Sequence, residues 1–144
     1  MTARHNPATQ TVRAVGAMFG ACVLALSLAG CADSGADRVR AVLARDATSA
    51  DSPPPEIDAK NVSPGSFRLV GADSAGTEYY LGTHVGEGVC LLVYPVAEGW
   101  TLGCGAAEGL SVGAGATTAW VGAADLSGMT ATENLAETVY IRQG

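Results

Sequence analysis

From residue 67 onward the apolar residues come in short runs broken by glycine, and no ten-residue stretch carries a helical period. Short runs bounded by turn residues predict strands. Residues 67–70 read as a first strand and 71–76 as its turn. Residues 77–81 alternate about Tyr79 and Tyr80, and 82–88 make a glycine-rich loop. Residues 89–94 are the strongest strand, and their unbroken apolar run predicts burial on both faces. A turn over 95–99 then leads into a strand over 100–104. Weaker strands follow at 110–112, 117–121 and 139–141. Thr130-Ala131-Thr132-Glu133 has the spacing of a capping box and predicts one helical turn. No internal repeat emerges. The expected fold is mainly β, a small antiparallel sheet or partly open barrel over residues 67–144.

Upstream the pattern changes. Residues 32–66 are rich in Ala, Asp, Ser and Pro and include Pro53-Pro54-Pro55. Within them, Val39, Val42 and Leu43 stand at helical spacing, which predicts a short amphipathic helix over 37–46. An isolated helix of fewer than about 12 residues is marginal in water. The helix therefore reads as either docked or frayed. The segment as a whole reads as a flexible or partly helical tether, a disordered stalk stiffened by its prolines.

The N-terminal stretch has a third pattern. Arg4, His5 and Arg13 precede residues 14–32, which carry no charge and centre on an apolar run from Met18 to Leu28. A basic region, an apolar region and small residues in that order predict an export signal. An uncleaved membrane helix, which needs about 20 apolar residues, is the alternative. The ending distinguishes them: Leu28-Ala29-Gly30-Cys31 resembles the lipobox of bacterial lipoproteins at all four positions. That resemblance implies a diacylglyceryl group on the Cys31 thiol and cleavage before it, leaving 1–30 as a removed signal, 31–66 as a lipidated tether and 67–144 as the β domain. Either reading puts the chain from Asp33 onward on the extracytoplasmic face of the cell membrane. Each buried CH₂ of an acyl chain contributes about 0.8 kcal/mol, so two or three chains anchor stably. Cys22 goes with the signal, and a bacterial export signal makes the sequon Asn61-Val62-Ser63 accidental.

Charge sharpens the picture. Arg4 and Arg13 are the only charged residues before Cys31, which leaves residues 31–144 two charges more negative than the −6 of the whole chain. An acidic domain with Lys60 as its only lysine does not fit a nucleic-acid partner, because phosphate backbones are held by clustered cations. Cys90 and Cys104 lie on consecutive strands outside the membrane, so a disulfide is expected between them, with a hairpin turning about Ala97-Glu98. Closing a loop of that size stabilises by about 3 kcal/mol. A redox-active pair is disfavoured, since the spacing is unlike Cys-x-x-Cys.

A looser resemblance spans about residues 67–142. Arg68-Leu69-Val70-Gly71, the Tyr79-Tyr80 strand, Val89-Cys90-Leu91-Leu92-Val93, Gly99-Trp100-Thr101 with Gly103-Cys104, and Thr138-Val139-Tyr140-Ile141 resemble small exported domains of actinobacterial membrane-anchored proteins that have no assigned activity. It implies an architecture and no catalytic residues.

Candidate chemistry is sparse. His84 is the one histidine left after cleavage, and it lies in the 82–88 loop with no second histidine or free thiol to complete a zinc site. Ser74, Ser111 and Ser127 lack a nucleophile elbow. Asp73, Glu78, Glu87, Glu98 and Glu108 sit in or beside turns at spacings that match no calcium loop. Gly103-Cys104-Gly105-Ala106-Ala107-Glu108-Gly109 fails as a dinucleotide fingerprint, because Glu108 stands where the third glycine belongs. No metal or cofactor is expected. Tyr79, Tyr80, His84 and Trp100 remain as candidate surface or ligand contacts, although the ordinary place for most aromatics here is the core. The leading expectation is a non-catalytic module binding an envelope protein. Behind it stand a carrier of a lipid or peptide, which needs a cavity of about 300 Å³, and a hydrolase built on His84 or a carboxylate pair.

Overall fold

Strands form where β-branched and aromatic residues cluster, and glycines set the turns between them. A computed structural model describes residues 34–94, 99–122, 131 and 133–144. Strands β1 (Arg68–Ala72), β2 (Glu78–Thr83), β3 (Val89–Tyr94) and β4 (Thr101–Gly105) form one sheet in the order β1-β2-β3-β4. Strands β5 (Leu110–Ala114), β6 (Thr117–Val121), β7 (Glu133–Leu135) and β8 (Val139–Gln143) form a second, in the order β5-β6-β8-β7. Every neighbouring pair is antiparallel. The chain is therefore mainly β, as the glycine punctuation predicts.

Register decides what is buried. Tyr79 faces Val93, Leu81 faces Leu91 and Thr83 faces Val89 across β2 and β3. Tyr79, Leu81, Val89, Leu91 and Val93 point inward and join Val112, Ala119, Val121, Val139 and Ile141 of the second sheet in one core, while Thr83 at the end of β2 is exposed. The intervening residues Tyr80, Cys90 and Leu92 point the other way, because successive strand residues alternate faces. They too are buried. Burial of β3 on both faces, expected from its apolar run, is what the structure has.

The segment expected to be a stalk is ordered from residue 34 onward, which corrects the expectation of disorder: its helix packs into the core between the sheets, and its later part covers the second face. Helix α1 (Gly35–Ala44) opens with a capping box between Ser34 and Asp37. Its Val39 is fully buried in the core, with Val42 and Leu43 packed alongside. So short a helix gains its stability from this packing rather than from propensity. Farther on, Val62 and the Phe67 ring fill the space above Gly82: a Cβ there would lie 2.6 Å from Val62 Cγ1. Phe67 meets Tyr80 edge to face, with centroids 6.3 Å apart.

One polar knot fastens the strap. Asp51, 3% exposed, accepts from Arg45 Nη1 at 2.9 Å and Nη2 at 2.5 Å. It also accepts from the Thr48 N–H and hydroxyl. The Leu69 peptide in β1 is bracketed, its N–H donating to Asp51 Oδ1 and its carbonyl accepting from Arg45 Nη2. The Arg45 guanidinium holds the Asp51 carboxyl far below the ordinary value of 3.8.

Two finer expectations change. Glu133 opens strand β7 rather than a helical turn, because it pairs with Ile141 of β8; Thr130 and Thr132 lie outside the described residues. Ala136 and Glu137, both at positive φ, make the tight β7–β8 turn. The Cys90–Cys104 disulfide is present and joins directly opposed residues of β3 and β4. The bridge is buried only at Cys90; Cys104 is exposed because β4 borders its sheet. The turn expected at Ala97-Glu98 lies outside the described residues.

The turns gather at two ends. Gly88 abuts the Gly105 carbonyl, the Ala107 carbonyl abuts Gly122, and the Gly122 carbonyl abuts Gly35. The β2–β3 turn, the β4–β5 turn and the start of α1 thus share one end. At the other, Gln143 donates to Asp73, Ser74 to Glu133, and the Gly144 N–H to the Ala116 carbonyl.

Candidate binding surface

The strap over sheet β1–β4 does more than cover it. Ser63 N–H donates to the Thr83 carbonyl at 2.8 Å, and Val85 N–H donates to the Asn61 carbonyl at 2.9 Å. Val62 and His84 thereby form an isolated antiparallel bridge that prolongs β2 beyond its hairpin. Between strap and hairpin runs an open groove of about 540 Å³, lined by Ile57, Lys60, Val62, Pro64, Phe67 and Val85. Most of that lining is apolar. Val85 stands at its lip, 59% exposed. A second hollow of about 190 Å³ lies beside Thr48, Asp51, Ser52 and Phe67. Its carboxylate is already engaged by the knot.

The four candidate contacts do not converge. Tyr79 and Tyr80, at 0% and 3% exposure, are interior residues, which corrects their reading as surface contacts. Adjacent strand residues point to opposite faces, and here both faces are covered. Tyr79 O–H donates to Asp73 Oδ2 at 2.9 Å. Asp73 also accepts the Ala75 and Thr77 N–H groups and so closes the β1–β2 turn. Tyr80 O–H donates to Glu78 at 2.6 Å. Burial first, and the carboxylate beside each second, push both phenols far above their usual range, so both keep their protons.

His84 is half-buried, and its Nδ1 accepts the Gly86 N–H at 3.2 Å. Its side chain closes its own turn. Trp100, 38% exposed, lies at the opposite end from His84, next to Thr101, which faces Val93. The groove takes in neither tyrosine, nor His84, nor Trp100. Sequence reasoning missed Ile57, Lys60 and Val85 as surface determinants. The available signal was an apolar valine set between His84 and Gly86 in a loop of otherwise polar or glycine residues.

Among the described residues, no three His, Cys, Asp or Glu side chains gather as metal ligands would. No described helix is long and apolar enough to cross a membrane. Leu28, Ala29, Gly30 and Cys31 lie outside the described residues. No protein-family model matches the chain, and neither a curated protein nor a solved structure matches it. The reading of function therefore rests on the sequence motif and the groove.

Proposed function

We propose that the protein is a lipid-anchored envelope lipoprotein whose β domain is a non-catalytic module for an envelope protein partner. The lipobox Leu28-Ala29-Gly30-Cys31 supports the anchor. One observation carries the binding role: the open groove floored by Ile57, Val62, Pro64 and Phe67. A trough of mostly apolar side chains bordered by the Lys60–Asp58 ion pair suits an extended protein segment, which gains by covering apolar surface while its flanks stay solvated. The space between the sheets is occupied by Tyr79, Leu81, Leu91 and Ile141, all fully buried. That packing favours a surface-binding module over an enclosing carrier.

Two measurements test the reading. Metabolic labelling with a radioactive fatty acid is expected to mark the wild-type chain and to fail with Cys31→Ser. A photocrosslinking residue in place of Lys60 is expected to yield one reproducible protein adduct in intact cells, lost with Ile57→Asp. Labelling that survives Cys31→Ser overturns the anchor. An adduct indifferent to Ile57→Asp, or none, overturns the binding role.

A further inference from the structure

The anchor and the domain are separated by very little chain. On the reading that Cys31 is lipidated, three Cα–Cα steps join it to Ser34, a reach of about 11 Å at most. From Ser34 the backbone is fixed to the domain. Ser34 and Asp37 close a capping box, and Ala36 N–H donates to Glu108 at 3.2 Å. Gly35 is wedged so tightly that a Cβ on it would lie 2.0 Å from the Gly122 carbonyl oxygen. No slack segment lies between Ser34 and the folded body.

The same end carries the more exposed of the two large apolar side chains that stand out from the described surface. Gly122 packs on Ala107 of the β4–β5 turn, and Gly105, the last residue of β4 before that turn, packs on Gly88 of the β2–β3 turn. Val85 projects from the β2–β3 turn, three residues before Gly88. From this short leash and this adjacency we infer that the end formed by the start of α1 and the β2–β3 and β4–β5 turns faces the bilayer, with Val85 touching its interface. The occupant of that surface is lipid. Asp37, Glu87, Glu108 and Glu137 also lie at or near this end, offset in part by Arg38 and Arg40, so anionic headgroups do not draw it in. The leash brings the surface to the membrane, and one apolar side chain makes the contact. The groove then opens at the bilayer surface, where its partner would be a segment of a membrane protein.

The inference rests on the lipoprotein reading, and the test separates the two. The acylated mature protein is reconstituted in phosphatidylcholine vesicles containing nitroxide-labelled lipid, with a small fluorescent residue in place of Val85 or, as control, Ala75. Both sites are exposed, and Ala75 sits at the opposite end. A six-residue strand such as β3 separates the ends by roughly 17 Å, so quenching at 85 is expected to exceed that at 75 by about threefold. Equal quenching, or more at 75, in protein whose intact mass carries the acyl groups overturns the orientation and leaves the anchor standing. Quenching at neither site, with a crosslinker at 85 capturing a protein in cells, reassigns Val85 to a protein contact and also overturns it. A mass without acyl groups removes the lipoprotein reading, and the orientation falls with it.

Discussion

Both faces of the central strands β2 and β3 are covered, yet in different ways. The inner face meets a second sheet, and its cover is a repeat of Val, Leu and Ile at alternate positions. The outer face meets an irregular strap held by a few plugs, Val62 and Phe67 above Gly82, and by the Asp51–Arg45 knot. Regular pairing spreads its stabilisation over many positions. The strap concentrates it in a few, so damage there should be local, while damage to the inner face should be global.

That contrast can be broken by experiment. Leu91→Ala on the inner face is expected to cost about 2–5 kcal/mol, read as a fall in the urea midpoint of the entire domain. Replacing Cys90 and Cys104 together by Ala is expected to cost about 3 kcal/mol, by freeing the unfolded chain from a closed loop. Asp51→Asn is expected to cost less, about 1–3 kcal/mol, and to raise hydrogen exchange at Leu69 and Thr48 before the second sheet responds. If exchange rises uniformly over both sheets, the strap is not a separate unit.

The pH dependence sharpens the same point. Asp51 has its folded-state pKa depressed, so its contribution is complete above the unfolded value of 3.8 and is lost as pH falls below that value. Acid should therefore loosen the strap below about pH 4, and Asp51→Asn should flatten that dependence. Smallest of all, Val85→Ser is expected to change stability by no more than about 0.5 kcal/mol, since the side chain is exposed; a larger loss by thermal melting would make Val85 part of the fold.

How much of this was legible in the sequence differs between the two faces. Strand β3 announced its two-sided burial through an unbroken apolar run, and Cys90 and Cys104 announced their pairing through position on consecutive strands. The strap did not announce itself. Its Pro53-Pro54-Pro55 and scattered acids have the composition of a linker, and what orders them is complementarity between distant residues. Gly82 leaves room for Val62, Gly122 leaves room for Gly35, and Asp51 finds Leu69, pairings that no local period encodes. Glu133 was misleading for a related reason: capping-box spacing is a local preference, and pairing with Ile141 overrides it. The groove followed the strap, so Ile57 and Lys60 were invisible until the strap was placed. Val85 alone left a trace in the sequence.

The bracketed Leu69 peptide has one more effect. β1 is the outermost strand of its sheet, and such strands offer unpaired backbone groups on which a neighbouring molecule can build. With both polar groups of Leu69 already occupied by Asp51 and Arg45, a second copy cannot zip onto the middle of that border. At that border a carboxylate and a guanidinium stand in for the missing strand.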